Sequence, residues 1–281
     1  MSHPPAGYPG QFQPGQGYPG QGFPQPGGAG YPAPGGGLPQ HHTPSPQPQG
    51  TTTIDTNGAF EGVQYRIDHR DSNSLLGLRL QPGYVIKGKP GSMVAMDPTV
   101  KLKGKLKFSF KKLVSGGEMS ESTFTGPGEV LLAPDIWGDV VPIQLDGSIA
   151  WSIGKHAFLA ATAGVTLSTK SQGFGKALFS GEGLFVRQVT GAGVLFVQSL
   201  GAIVQRRLGN GEQWIVDNGH LVAWSAKYTV ERVDAGGFIS ASHTDEGLVC
   251  RFTGPGTVYI QTRNPDALTG WIADQLPSSS S

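Results

Sequence analysis

The chain has 281 residues, with 21 Lys and Arg against 20 Asp and Glu, for a formal net charge of +1. This balance excludes a global pull toward nucleic acid or acidic lipid, so any such contact has to come from a local patch. Its one cysteine, Cys250, excludes an intrachain disulfide framework, and no apolar run reaches the ~18 residues of a membrane-spanning helix.

The first 50 residues carry 13 Pro and 13 Gly, and no Lys, Arg, Asp or Glu. They hold too little branched aliphatic side chain to offset their ordering entropy, so residues 1–50 read as a disordered tail. Within it, "GYPGQFQPGQGYPGQGFPQPGGAGYP" (7–32) repeats Tyr/Phe-Pro. Pro holds parts of the tail near polyproline II and Gly loosens it. Two readings stand: an adaptor-binding tail with aromatic stickers, and a solubilising tail with no specific partner. Neither a secretory signal nor a presequence is visible, the first basic residue other than histidine being Arg66. The default expectation is a soluble intracellular protein.

Residues 51–276 form the expected core, followed by a short Ser tail at 277–281. The core repeats itself. Ala95, Ala160 and Ala223 sit in "SMVAM", "AFLAA" and "HLVAW". Gly126, Gly191 and Gly254 each follow their alanine by 31 residues, and Leu80, Leu145 and Leu208 each precede it by 15. Such spacing implies a threefold duplication, with units at about 75–138, 139–204 and 205–265.

Each unit reads as β. Short runs of Val, Ile, Leu and Phe are separated by Pro82-Gly83, Asp146-Gly147 and Asn210-Gly211 turns. After the anchors, Val100 and Leu102 match Val165 and Leu167, then Tyr228 and Val230, with polar residues between them. That is a period of two. The one helical candidate is a short turn at "PDALTGWIADQL" (265–276). The expected fold is all-β: three small barrels or sandwiches of about 64 residues around a pseudo-threefold axis. Equivalent edges would close the ring within one chain.

The strand at 100–112, "VKLKGKLKFSFKK", departs from its sisters. Alternation puts Lys101, Lys103, Lys105 and Lys107 on one face, opposite Val100, Leu102, Leu106 and Phe108, and Lys111 and Lys112 follow. The sister strands carry Thr166, Ser168, Thr229 and Glu231 there, so the fold does not require the lysines. They read either as a ribbon for anionic headgroups or as a strand kept from aggregating by its charge. The polar face has no interleaved aromatics, which disfavours nucleic acid.

Late in each unit comes a bend and a strand: "GPGEVLLA" (126–133), "GAGVLFVQ" (191–198) and "GPGTVYIQ" (254–261). Gly126, Gly128, Gly191, Gly193, Gly254 and Gly256 read as structural bends into a buried strand. A phosphate loop would need a helix next, and a strand follows here.

No catalytic constellation is found. The seven histidines lack metal spacing, and neither a Gly-x-Ser-x-Gly elbow nor a Cys-His cluster occurs. Cys250 falls on the apolar side of "LVCRF" and reads as a buried thiol. Arg187 falls on a face that the pattern sends inward; it reads as a partner of a carboxylate such as Glu182, or as turned to solvent by a bulge. No cofactor or metal is expected, and the protein reads as a non-enzyme.

"GEGLFVRQVTGAGVLFVQSLG" (181–201) and "FTGPGTVYIQTRNP" (252–265) resemble the altered-inheritance-of-mitochondria (mitochondrial biogenesis) family, over about residues 58–272. The resemblance implies a fold like that of the tryptophan RNA-binding attenuation protein, a short double-stranded β-helix unit, here three per chain. For the fungal members of a family that also has bacterial ones, it implies a mitochondrial role tied to inner-membrane organisation, with no established catalysis. The expectation is therefore a scaffold or binding protein peripheral to a mitochondrial membrane, with the cytoplasm as the alternative location. Its expected partners are proteins, an anionic membrane surface or further copies of itself. The competing function is a small-ligand binder or enzyme with its pocket between the repeats.

Overall fold

The computed structural model describes residues 56–104, 121–169, 186–232 and 248–276. The described chain opens with an antiparallel hairpin of β1 (Asn57–Phe60) and β2 (Val63–Asp68). Strand β2 alternates as a half-buried strand must, with Val63, Tyr65 and Ile67 inward and Gln64 and Arg66 outward.

Three sets of six strands follow. The first holds β3 (Leu75–Leu80), β4 (Val85–Gly88), β5 (Met93–Met96), β6 (Lys101–Gly104), β7 (Ser122–Thr125) and β8 (Gly128–Leu132). The second holds β9 (Val140–Asp146), β10 (Trp151–Gly154), β11 (Phe158–Thr162), β12 (Thr166–Thr169), β13 (Val186–Thr190) and β14 (Ala192–Gln198). The third holds β15 (Ile203–Leu208), β16 (Gln213–Asp217), β17 (Leu221–Trp224), β18 (Lys227–Arg232), β19 (Leu248–Thr253) and β20 (Gly256–Gln261).

The pairings recur from set to set. The last strand lies between the first and third: β3-β8-β5, β9-β14-β11 and β15-β20-β17. The fifth lies between the second and fourth: β4-β7-β6, β10-β13-β12 and β16-β19-β18. A register shift falls just before each anchor alanine, at Met93/Ala95, Phe158/Ala160 and Leu221/Ala223.

Each set sandwiches an apolar core between its two triplets. The first core includes Leu76, Leu78, Ile86, Phe124 and Val130. The second includes Ile143, Ile153, Val189 and Leu195, and the third Leu208, Trp224, Cys250 and Phe252. The sets then join edge to edge. Strand β4 pairs with β11, and β10 with β17, giving six-stranded sheets β6-β7-β4-β11-β14-β9 and β12-β13-β10-β17-β20-β15. Strand β14 is therefore covered on both faces. Val194 and Phe196 enter the first core, and Leu195 and Val197 the second. This explains why "VLFV" (194–197) is continuously apolar rather than alternating.

The described strands do not close the ring expected from the sequence. The third join would be β16 with β5, yet β5 pairs with β8 alone and β16 with β19 alone among the described strands. Ala95 is consequently exposed, whereas Ala160 and Ala223 are fully buried.

The C-terminal candidate is a helix, α1 (Pro265–Gln275), with proline in its first turn. The Asn264 side chain caps it, accepting from the Asp266 N–H at 2.9 Å and the Ala267 N–H at 3.4 Å.

Candidate functional site

The lysine strand begins where the sequence places it. Lys101 and Lys103 lie on β6, an edge strand held by β7 alone among the described strands. Both are exposed and form no ion pair with another described residue. Lys105, Lys107, Lys111 and Lys112 lie outside the described residues, as do Leu106 and Phe108. The face opposite the lysines differs from expectation. Val100 is buried, but Leu102 is 41 % exposed, while its counterpart Leu167 packs on the second core. Pattern alone assigned both leucines inward; no described strand covers Leu102.

The glycine bends hold three glycines at the positive φ that glycine favours. Gly128, Gly193 and Gly256 have φ of 135°, 148° and 156°, a region that L side chains rarely enter. The first and third bends match in detail. The Gly126 and Gly254 N–H groups donate to the Tyr84 and Glu212 carbonyls at 3.0 and 2.9 Å. Their own carbonyls accept from the Gly83 and Gly211 N–H groups, both at 3.2 Å. The middle bend departs. It has Ala192 in place of proline, and Gly191 instead lies against the Gly164 carbonyl.

Asp139, just ahead of β9, is 5 % exposed at the junction of the first two sets. Arg70 grips it with Nε and Nη2 at 2.8 and 2.6 Å. Ser74 Oγ donates to the same carboxylate at 2.9 Å, and the Val140 N–H at 2.7 Å. The hydrogen bond from Arg70 to Asp139 holds the guanidinium above its ordinary pKa, against the effect of burial. The sequence had a signal for this cluster: one aspartate opening a strongly apolar strand.

Two glutamines were also missed. Gln198 Nε2 donates to the His156 carbonyl and Gln261 Nε2 to the Gly219 carbonyl, each at 2.9 Å. They close matching turns in the second and third sets, where the first set has Ala133. His156 and His220 flank those turns. The His220 Nδ1 lies 2.7 Å from the Gln261 carbonyl, a local tie rather than a ligand arrangement. No group of three or more His, Cys, Asp or Glu able to hold a metal occurs among the described residues.

Arg187 lies half-buried on β13, beside Ile153 and Thr169. Burial lowers its pKa, and the charge of Glu121 works the other way; Glu182 falls outside the described residues. Cys250 is fully buried, and burial pushes its thiol up to about 12, with Asp217 adding to the shift. A thiol so placed stays protonated near neutral pH. In the folded protein Cys250 should therefore resist a maleimide at pH 8 and label only after denaturation. Full labelling within minutes under native conditions would contradict its placement.

An open groove lies on the outer face of the first sheet, lined by Gln64, Tyr65, Arg66, Gly77, Arg79 and Glu129. Two of its three charges, Arg66 and Glu129, pair with each other. Arg66 bonds Asp68 at 2.8 Å and also pairs with Glu129, whose hydrogen bond is the main cause raising the Arg66 pKa.

These features define an all-β antiparallel protein of packed sheets, with a charged edge and a shallow polar groove. Residues 65–263 match the family described as Mitochondrial biogenesis AIM24, and the chain belongs to that family. An uncharacterised protein of Streptococcus pyogenes serotype M6 is 32 % identical over 232 residues, covering 78 % of this chain and 93 % of the relative. The crystal structure of a Streptococcus pyogenes protein is similar at a TM-score of 0.63 and 29 % identity, covering 76 % of this chain and all of that one.

Proposed function

We propose that the protein is a non-catalytic scaffold or binding protein with a role in mitochondrial biogenesis, and that the lysine strand is its contact for an anionic membrane surface. Family membership supports the biogenesis role. One observation carries the contact: Lys101 and Lys103 stand exposed on a sheet edge, without an ion pair to a described residue, where the sister strand β12 has Thr166 and Ser168. A lysine near an anionic bilayer contributes about 1 kcal/mol.

The ligand-binder reading has one observation behind it, the groove of Arg66, Arg79 and Glu129. Its Arg66–Glu129 pair favours the scaffold reading, because groups already paired have less to offer a ligand. The family points to a mitochondrial location; a bacterial relative keeps the cytoplasm open as the alternative. Fractionation of source cells, with and without residues 1–50, separates the two.

Vesicle sedimentation tests the contact. Replacing Lys101, Lys103, Lys105 and Lys107 by Gln should weaken binding to anionic vesicles at low salt by about two to three orders of magnitude. It should also flatten the salt dependence, and leave the melting temperature nearly unchanged. Equal binding by both proteins, or none by wild type, would reject the contact.

A further inference from the structure

Strands β5 and β16 are the two halves of a join that the chain makes twice internally and, among the described strands, leaves open once. In both internal joins the second strand of one set pairs with the third strand of the next. The registers correspond residue for residue: Ala160 faces Gly88 and Ala161 faces Lys87, then Ala223 faces Ile153 and Trp224 faces Ser152. The remaining third strand is β5 and the remaining second strand is β16. Their sheets are the halves β3-β8-β5, extended by the N-terminal hairpin, and β16-β19-β18.

The side chains at these edges are those of a covered surface. In β5, Met93, Val94 and Met96 are 40, 58 and 37 % exposed. Every residue of β11 and β17, its sister strands, is buried. On β16, Ile215 is 48 % exposed, at the position held by Lys87 in β4 and Ser152 in β10. A flat apolar sheet edge is a template for another strand.

We infer that β5 of one copy of this chain pairs antiparallel with β16 of a second copy, completing a six-stranded sheet across the interface. The register follows from the internal joins: Ala95 opposite Val216, Met96 opposite Ile215 and Asp97 opposite Trp214. The backbone is poised for it. The Asp97 N–H donates to the Glu129 carbonyl at 2.9 Å, so alternation turns the Met96 N–H and C=O away from β8. On the other edge, the Gly254 N–H donates to the Glu212 carbonyl, and the same alternation turns Ile215 away from β19. Met96 and Ile215 then exchange backbone hydrogen bonds while their apolar side chains cover each other. Each copy offers one edge of each kind, so the contact is head-to-tail, and it builds a closed ring or a filament according to the rotation between copies. The inference does not depend on the lysine contact.

Cysteine cross-linking of the full chain tests it. Hydrogen-bonded strand partners have Cα atoms about 5.5 Å apart, within disulfide range. Differently tagged Met96→Cys and Ile215→Cys chains, co-expressed and mildly oxidised, should give a disulfide-linked dimer. Either variant alone should give none, and neither should wild type, whose Cys250 is buried. Light scattering should find wild type as a multimer, and Met96→Pro, which removes the outward N–H, shifted to the mass of one chain with its fold retained by circular dichroism. Wild type monomeric at tens of micromolar would overturn the inference. So would a multimer without the mixed cross-link, or a cross-link formed by Met96→Cys alone, which would mean like edges meet.

Discussion

Asp139→Ala is expected to lower the unfolding free energy by about 3–5 kcal/mol, the range for removing one partner of a buried ion pair. The carboxylate is 5 % exposed and receives Arg70, Ser74 Oγ and the Val140 N–H. Its loss strands the Arg70 guanidinium, whose side chain is only 23 % exposed, and leaves a buried hydroxyl and amide without their acceptor. The cluster also clamps the chain ahead of β3 to the first-to-second junction, where the Ser74 N–H donates to the Gly138 carbonyl at 3.0 Å. Urea denaturation measures the effect as a fall in midpoint at unchanged slope. A loss under about 1 kcal/mol would show that water replaces the ion pair cheaply. In a double-mutant cycle, Arg70→Met with Asp139→Ala should cost less than the two single losses added.

Gly256→Ala is expected to cost about 2–5 kcal/mol, from backbone strain and overpacking together. The residue has φ 156°. A Cβ there would lie 2.6 Å from Ala226 Cα, a backbone atom that cannot rotate away. Gly83→Ala is the internal control. Gly83 also has positive φ, at 77°, but nothing lies within 4 Å of its would-be Cβ, so only the strain of about 1–2 kcal/mol remains. Thermal melts of the two variants against wild type separate the effects. Equal losses would mean that the close approach at Gly256 contributes nothing.

The local features of the fold were legible because they are written in short-range chemistry. Alternation in "VQYRI" follows from one covered face, and the bends at Gly128, Gly193 and Gly256 follow from a backbone conformation that other residues resist. Proline at position 265 behind an asparagine announces α1. The candidate site was legible only as a surplus: lysines that the sister strands do without. Asp139 was missed because its importance lies in what surrounds it, and Arg70, 69 residues earlier in sequence, supplies the charge that lets it stay buried.

The sequence alone, then, specifies the all-β class, the constant 31-residue spacing from each anchor alanine to its glycine, and where each bend falls. These depend on turn chemistry and side-chain periodicity, which act within a few residues. The tertiary structure decided how the sets join. The three anchor alanines look alike in sequence, but Ala160 and Ala223 are buried beneath a neighbouring set, and Ala95 is exposed at an open edge. Burial depends on which strand lies across the sheet, and backbone hydrogen bonds between strands are indifferent to residue type, so equal sequence signals end in unequal environments.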